Sequence, residues 1–449
     1  MSIESRKKPA VALVNKGFFH DAMSAASGKG MPGIRIIAES IPSECVVEAQ
    51  IEAGIDAELD NIIAALTAPL TAAERTPKAR ETEKPSRIIF KGNLKDVNRF
   101  FYKRGWTDGF PVVPPTEEEV AEMLTGTDLP PSHVVAKLMP RLGKATVEKI
   151  AINAVMAGAL PTYMPVLITA VEAMVEYGYF RGQAVSAGSW APCYLFNGPI
   201  RDDIHINTGV GVMSPGNIAN ATIGRALGLI VKNIGGIRKG IEDMGNMGNP
   251  GKYTLVLGEN EEQSPWEPLH VQHGFKKEDS VITIFMPNNH AQSVVYGTSD
   301  DMILRTIAYN ISPSKRGTMC ILIGPVHAGV LADKGWTKQD IINFIAQYAR
   351  APLSHMPYYW KAWLSIPRED VKGMAGQKGI LLNPKDSPNE SVPIIIPELV
   401  RLFVTGGTGG DINMLSGVGR WISRKIELPA NWDALVKKYQ DIVPTYALY

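Results

Sequence analysis

Residues 186–225 read SAGSWAPCYLFNGPIRDDIHINTGVGVMSPGNIANATIGR, and this central segment joins an apolar run to a helix-like stretch through a long glycine-rich connection. Cys193 to Phe196 is apolar and is followed by Asn-Gly-Pro, which predicts a buried strand that runs into a turn. A Ser-Pro-Gly-Asn stretch ending at Asn217 has the composition of a helix start, and residues 218–234 carry apolar side chains at helical spacing. A long loop held between regular elements is a usual place for binding groups, so we expect a site here.

Strands and helices alternate on both sides of the central segment, and this pattern predicts an α/β fold. We expect a large mixed α/β main domain over residues 88–449. Its predicted strands and helices after the central segment are strands at 253–257, 281–285, 319–323, 393–396 and 402–405, a helix at 301–310 and a helix-rich part at 327–350.

Residues 1–66 predict a small β-α-β-α unit, with strands near 9–15 and 33–38 that are each followed by a helix. A two-stranded sheet is marginal in water, so this unit needs a partner surface on the main domain or on another chain. Residues 67–87 are rich in Thr, Ala, Glu, Lys, Arg and Pro, which is typical of a linker between domains.

Composition limits the class of partner. Lys plus Arg number 46 against 45 Asp plus Glu, so no excess charge favours nucleic acid or a membrane surface, and a small molecule is the expected partner. The 3 cysteines, Cys45, Cys193 and Cys320, lie far apart and predict neither a disulfide framework nor a zinc site. Cys193 and Cys320 lie in apolar runs and are expected to be inert, whereas Cys45 is expected to be more exposed. Without a signal peptide or a membrane-length apolar segment, the chain is expected to be cytoplasmic.

Two segments echo each other. Cys193 to Ile200 and Cys320 to Val326 are both apolar runs that begin with Cys and continue into Gly-Pro, each with a helix-like stretch upstream. This echo suggests a duplicated half-domain as a hypothesis, although a strand followed by a Gly-Pro turn also arises by chance.

The helix predicted to begin at Asn217 offers a binding surface. Asn217, Asn220 and Gly224 lie along one face of its first turns, and its free amides form the positive end of the helix dipole. Arg201 and Arg225 are near enough in sequence to add charge-assisted hydrogen bonds to a carboxylate or a phosphate. The alternative is that the asparagines only cap the helix.

The segment GENEEQSPWEPLH, residues 258–270, combines five acidic or basic side chains. Ser264 to Glu267 fits a capping box, which would place His270 one turn later on the same helix face as Glu267. His270 and His273 have a spacing that a divalent metal could use, but a Glu/His acid–base pair needs only hydrogen-bond reach to a substrate proton and is favoured. The five acidic or basic side chains of this segment are Glu259, Glu261, Glu262, Glu267 and His270.

Two other motifs receive more limited interpretations. Residues 406–410, GGTGG, follow an apolar run but lack the spacing of nucleotide-binding loops, so they predict only a close backbone approach, and no cofactor is predicted. Trp106 and Asp108 fit a packed, hydrogen-bonded turn ahead of a helix that Thr116 and Glu119 cap.

Seven motifs occur in an order that resembles the bacterial UGSC family of (seleno)proteins. They span most of Lys91 to Arg420 and are RGWTDGFPVVPPTEEEVAEML, GKATVEKIAINAVMAG, NGPI, SPGNIANATIGRAL, GENEEQSPWEPLH, GPVHAGVLADKGWTKQDI and TGGTGG. The N-terminal unit is similar to the second half of that family's thiol or selenol domain, while the half with the Sec/Cys-Gly-Ser-Cys motif is absent. The resemblance therefore implies a Cys- or Sec-containing partner chain or different chemistry. Related sequences carry an apolar residue at Cys193 and an arginine at His273, which weakens a thiol role and a metal role.

We hypothesise an enzyme or enzyme subunit that binds a small polar, anionic metabolite and acts on it by Glu/His acid–base chemistry of a lyase or hydrolase type. The alternatives are a subunit of a thiol- or selenol-dependent oxidoreductase and a non-catalytic ligand-binding subunit, and a homo-oligomer is a further expectation. The candidate catalytic residues are Glu259, Glu262, Glu267, His270 and His327. The candidate substrate-binding residues are Asn197, Arg201, Asn207, Asn217, Asn220, Arg225, Trp266, Gly406 and Gly407.

Overall fold

A computed structural model describes residues 8–28, 30–41, 47–75, 86–178, 186–295, 298–312, 317–352, 391–417 and 420–442. These residues form helices and mixed sheets, which confirms the predicted α/β fold class. Cys45 lies outside the described residues. The strands are β1 (Val11–Asn15), β2 (Arg35–Glu39), β3 (Val134–Leu138), β4 (Gly143–Thr146), β5 (Cys193–Asn197), β6 (Val256–Gly258), β7 (Val281–Phe285), β8 (Asn289–Val294), β9 (Gly317–Ile323), β10 (Arg350–Pro352), β11 (Ser391–Pro393), β12 (Ile395–Val404), β13 (Asp411–Ser416) and β14 (Ile422–Lys425). The helices are α1 (Phe19–Gly28), α2 (Glu48–Thr67), α3 (Ala72–Arg75), α4 (Leu94–Lys103), α5 (Glu117–Met123), α6 (Val147–Ala157), α7 (Met164–Tyr177), α8 (Ile200–Asp203), α9 (Ile218–Asn233), α10 (Leu269–Gln272), α11 (Asp300–Asn310), α12 (Pro325–Asp333), α13 (Lys338–Tyr348) and α14 (Trp432–Tyr439).

The N-terminal unit has the predicted β-α-β-α order. Its strands β1 and β2 pair in parallel, and α1 and α2 pack against them. Part of the predicted linker folds back on this unit, because Arg35 Nε donates to Glu74 Oε1 of α3 at 2.9 Å. Residues 76–85 of that linker lie outside the described residues. Ser24 Oγ of α1 donates to Glu242 Oε1 at 2.6 Å, so the small unit contacts the part of the chain that follows it.

The main domain contains two four-stranded sheets with the same arrangement. In the first sheet, β5 pairs in parallel with β6 and antiparallel with β7, which pairs antiparallel with β14. In the second sheet, β9 pairs in parallel with β12 and antiparallel with β13, which pairs antiparallel with β8. The two echoing segments therefore contain the corresponding strands β5 and β9. Duplication of a half-domain stays a prediction, and the shared topology is the observation that favours it.

Each half of the main domain gives its last strand to the other half. Strand β8 follows β7 after residues 286–288, yet it pairs in the second sheet. Strand β14 follows β13 after residues 417–421, yet it pairs in the first sheet. The two halves are therefore interlocked by a reciprocal exchange of edge strands.

The two sheets pack face to face, and helices cover their outer faces. Cys193 and Leu195 of β5 share the core between the sheets with Cys320 and Leu322 of β9. Successive side chains of a strand point to opposite faces, so Phe196 instead joins a core with α6, α7 and α9. The outer face of the second sheet packs against α11, α12 and α13 in a separate core. The main domain is thus a four-layer helix–sheet–sheet–helix arrangement, with β5 in one of the two inner layers and β9 in the other.

Several strands depart from the sequence-based expectations. The MPNNHAQS segment, which lies between the strand predicted at 281–285 and the helix predicted at 301–310, contains the edge strand β8, whose residues alternate between half-buried and exposed. Strands β13 and β14 and the hairpin of β3 and β4 were not predicted either. Within the described ranges β8 pairs only with β13, and every second residue of β8 is exposed, so polar residues occupy most of that face and no long apolar run marks the strand.

Candidate functional site

The C-terminal ends of the parallel strands β5 and β6 bring the first predicted site residues together. Asn197 ends β5, and Glu259 directly follows β6 with its N–H donating to the Phe196 carbonyl at 3.1 Å. Ligands of α/β sheets commonly bind beyond such carboxyl ends. The turn after β5 holds Gly198 at φ +77°, and a Cβ atom there would lie 2.0 Å from the Asp279 carbonyl oxygen. Only glycine fits this turn, which fixes the position of the residues on either side of it.

Glu259 is a fully buried carboxylate. Its Oε2 accepts hydrogen bonds from Asn197 Nδ2 at 2.6 Å and from the Leu269 N–H at 2.8 Å. Its Oε1 lies 3.4 Å from Nζ of Lys338, at the start of α13, and this ammonium also donates to the Glu267 carbonyl at 2.8 Å. Burial raises the pKa of Glu259, and the nearby Lys338 opposes that rise. Lys338 therefore stabilises the ionised form of this buried carboxyl group.

Arg201, at the start of α8, connects two further glutamates. Its Nη1 and Nη2 atoms donate to Glu262 at 3.1 and 2.8 Å, and its Nε lies 3.2 Å from Glu261 Oε1. Glu261 Oε1 also accepts from the Gly198 N–H at 2.8 Å. The Arg201 side chain is 4% exposed, whereas Glu262 is 58% exposed, and the bond from Arg201 lowers the pKa of Glu262. The buried guanidinium group is thus paired with one buried carboxylate, Glu261, and one exposed carboxylate, Glu262.

His270 lies in the same group and is fully buried. Its Nε2 is 3.3 Å from the Lys277 carbonyl, which can only accept, so the Nε2–H donates there and Nδ1 carries the lone pair. Within the part of the chain that the structure describes, Nδ1 has no hydrogen-bond partner, and Glu261 Oε1 lies 3.9 Å away. The buried Oδ1 of Asn197 likewise has no partner among those residues. We call this group the strand-end cluster; its members are Asn197, Arg201, Glu259, Glu261, Glu262, His270 and Lys338.

The predicted capping box from Ser264 to Glu267 is wrong. The short helix α10 begins at Leu269 with Pro268 as its N-cap, so Glu267 lies before the helix and not on one helix face with His270. Pro268 has extended backbone angles, φ −59° and ψ 152°, which keep the preceding residues out of the helix. The Glu267 side chain is exposed, and only its backbone carbonyl contacts the cluster through Lys338.

The ends of β9 and β12 form a second group. His327, in the first turn of α12, is 5% exposed, and its Nδ1 has no partner among the described residues. Burial lowers the pKa of His327. In the glycine loop after β12, the Gly406 N–H donates to the Thr208 carbonyl at 2.8 Å, and a Cβ atom at Gly407 would lie 3.2 Å from Val210 Cα. This loop therefore packs closely on the central segment, as its composition predicts.

Of four other predicted binding residues, three make hydrogen bonds within the protein, namely Asn207, Asn220 and Trp266. Asn220 Oδ1 accepts from the Asn207 N–H at 2.8 Å, and its Nδ2 donates to the backbone of β6 at 3.0 Å. Asn217 is the N-cap of α9, as predicted, but its side chain makes no capping hydrogen bond. Trp266 Nε1 donates to the Trp336 carbonyl at 2.9 Å. The hydrogen bonds between Asn207 and Asn220 thus shape the long loop of the central segment.

Arg225 does not join the strand-end cluster. Its Nε donates to Asp108 Oδ2 at 2.8 Å, and it lines a cleft with Tyr194. Tyr194 lies near the start of β5, whereas Asn197 ends that strand, and three residues of strand span about 10 Å. Both arginines predicted to bind an anion are therefore paired with carboxylates, and they lie at opposite ends of the first sheet.

Metal ligation and thiol chemistry receive no support from the described residues. No group of three or more His, Cys, Asp or Glu side chains among them could hold a metal ion. His273 Nδ1 lies 2.8 Å from Ser423 Oγ, and burial lowers the pKa of His273 to about 4. Cys193 and Cys320 are fully buried, as predicted, and burial raises the pKa of both thiols well above their usual range.

Two members of the strand-end cluster were missed from the sequence. Lys338 lies 79 residues from Glu259, so no local spacing connects them. Glu261 belongs to the acidic segment that was singled out, but its role depends on the turn at Gly198, whose amide it accepts from. A long-range contact therefore completes the cluster.

The chain matches no protein-family model, no curated protein and no solved structure. The resemblance to the UGSC family stays a prediction that rests on its motifs. Of the described helices, none is long and apolar enough to cross a membrane.

Proposed function

We propose that this protein is an enzyme that acts on a small polar, anionic metabolite at the strand-end cluster by acid–base chemistry of a lyase or hydrolase type. The observation that carries the proposal is a pair of buried acceptors, Asn197 Oδ1 and His270 Nδ1, that find no donor among the described residues and lie beside the carboxylates of Glu259 and Glu261. Folded proteins leave few buried polar atoms unpaired. A substrate hydroxyl or amino group would supply the donors that these two atoms lack.

The arrangement around Arg201 supports an acidic substrate. Glu262 accepts two hydrogen bonds from the guanidinium group and is largely exposed. A substrate carboxylate could take the same two hydrogen bonds while Glu262 turns into solvent, so one carboxylate replaces another on the same group. Together, Arg201 and the two unpaired acceptors favour a hydroxy acid or an amino acid as the substrate.

His270 is the proposed proton acceptor. Its Nδ1 carries the lone pair because Nε2–H is committed to the Lys277 carbonyl. After proton transfer, the imidazolium would face the carboxylate of Glu261 at 3.9 Å, which stabilises the new positive charge. Glu259 is a positioning residue in this scheme, because it holds Asn197 and Lys338 on either side.

The test begins with a mixture of polar metabolites, because the proposal names a substrate class and not a single compound. Wild-type protein is incubated with hydroxy acids and amino acids, and products are followed by mass spectrometry. His270→Asn should lower kcat by about 10²- to 10⁴-fold on any acid that the wild type converts. Glu278→Gln, at an exposed glutamate outside the cluster, is the matched control.

Two results would contradict the proposal. One is a wild-type protein that converts no acid in the mixture. The other is a folded His270→Asn variant, checked by circular dichroism, that retains the wild-type kcat.

A further inference from the structure

A concave surface lies near the start of β5, away from the strand-end cluster. This α9 cleft, of about 310 Å³, runs along one face of α9 and reaches Tyr194 near the start of β5. Gly224 and Gly228, one helical turn apart, form part of its wall. A Cβ atom at Gly224 would lie 2.9 Å from the Thr254 Cα, and a Cβ atom at Gly228 would lie 3.3 Å from the Lys252 carbonyl oxygen. The neighbouring chain thus approaches the helix closely where side chains are missing. Cavities of this size hold small organic molecules.

Charged side chains surround the cleft unequally. Its lining contains four cations and two carboxylates. Arg225 is paired with Asp108 at 2.8 Å, and Lys252 is paired with Asp243 at 2.6 Å, so the excess of two positive charges belongs to the remaining lysines. Those lysines are Lys232 and Lys239.

Lys232 is held in place at the cleft. Its Nζ donates to the Thr107 carbonyl, and no salt bridge pairs it with a carboxylate among the described residues. Burial lowers the pKa of Lys232, and the nearby Asp108 partly opposes this. A bound anion would return the stabilisation that the half-buried ammonium loses on leaving water. Lys239 is exposed at the rim and is free to turn toward such a ligand.

Apolar side chains form part of the cleft, and an aromatic ring lies at its edge. Leu227, Val231 and Ile237 contribute to its floor. Tyr253 lines the entrance and is 52% exposed, and its ring lies 5.3 Å from that of Phe110, which is 53% exposed. The two rings meet edge to face, with their planes 64° apart, so the half-exposed ring of Tyr253 alone offers a stacking surface at the entrance.

We infer that the α9 cleft binds a small organic anion that combines a flat, aromatic body with a carboxylate or phosphate group. The body would lie against the apolar floor and Tyr253, and the anionic group would lie between Lys232 and Lys239. This inference is independent of the proposed chemistry at the strand-end cluster, because no cluster residue lines the cleft.

The experiment measures binding to the full chain by isothermal titration calorimetry. The probes are phenyl phosphate, benzoate, inorganic phosphate and the neutral benzyl alcohol. Phenyl phosphate or benzoate should bind with a Kd below about 1 mM and should bind at least about five-fold more tightly than benzyl alcohol. The comparison of phenyl phosphate with benzoate identifies the preferred anionic group.

Variants then locate the bound probe. Lys239→Met, at an exposed position, should weaken the tighter anion by about five-fold, and Lys232→Met should weaken it by about ten-fold. Tyr253→Ala should weaken phenyl phosphate but leave inorganic phosphate unchanged. Lys437→Met, an exposed lysine of α14, is the control and should change nothing.

Three results would overturn the inference. In the first, the wild-type protein binds none of the aromatic anions at 10 mM, which is about ten-fold above the expected upper limit of the Kd. In the second, benzyl alcohol binds as tightly as the anions. In the third, Lys239→Met and Lys232→Met both leave the affinity of the anion as it is in the Lys437→Met control.

Discussion

Replacing Lys338 by methionine removes the cation that faces the buried carboxylate of Glu259. Nζ and Oε1 lie 3.4 Å apart, and two unit charges at that distance attract by about 5 kcal/mol at an effective dielectric constant of about 20. The substitution also removes the cost of burying the ammonium group. We therefore expect Lys338→Met to lower the free energy of unfolding by about 3 kcal/mol at neutral pH.

A double-mutant cycle separates this pair from general damage to α13. In Lys338→Met/Glu259→Gln neither side chain is charged, so part of the lost stability should return, with a coupling free energy of about 2 kcal/mol. Urea unfolding followed by circular dichroism gives the four free energies. Lys437→Met, at an exposed position, should change stability by less than about 0.5 kcal/mol.

The sign of the pH dependence provides a second check. The pKa of Glu259 is raised in the folded protein, so the folded state binds the carboxyl proton more tightly than the unfolded state does. The contribution of Glu259 to the free energy of unfolding therefore falls as pH rises above the usual pKa range of glutamate. Without Lys338 the pKa of Glu259 rises further. Lys338→Met should therefore lower the free energy of unfolding less at pH 5 than at pH 8. A coupling free energy below about 0.5 kcal/mol, or a loss that grows on acidification, would refute the reasoning.

Two other substitutions test local features. Burial and the nearby Glu242 raise the pKa of Asp21 to about 6, so the stability that the protonated carboxyl supplies is lost as pH rises toward 6 and beyond. Asp21→Asn should be more stable than wild type by about 1 kcal/mol at pH 7.5, after allowance for its partial exposure, and equal to it near pH 4 in thermal unfolding. Gly198→Ala should cost more than about 2 kcal/mol, because φ is positive and the Asp279 carbonyl blocks the Cβ position. Gly209→Ala, with only a side-chain oxygen at 3.9 Å, is the control, and equal losses in both variants would contradict this explanation.

Local patterns were sufficient for the elements of the central segment. The apolar run from Cys193 and the helix start at Asn217 both form where they were predicted, because strand ends and helix starts depend on neighbouring residues. The burial of Cys193 and Cys320 was also predictable for the same reason.

Long-range contacts explain what could not be predicted. Lys338 contacts Glu259 through the tertiary fold. Arg225 forms an ion pair with Asp108, which is 117 residues away in sequence, and so does not join the strand-end cluster. Strand β8 is visible only through its pairing with β13, since its own residues are mostly polar. A sequence motif can indicate that glutamates and a histidine matter, but their partners are chosen by tertiary structure.

The reciprocal exchange of β8 and β14 bears on how the main domain could be divided. If the chain is cut between β8 and α11, each fragment lacks one edge strand of its own sheet and carries the one that the other fragment needs. Neither fragment should fold alone, whereas the two together should reassemble. The same arrangement would let two copies of a half-length chain complete each other as a symmetric pair. We therefore expect the stability of the main domain to require both halves.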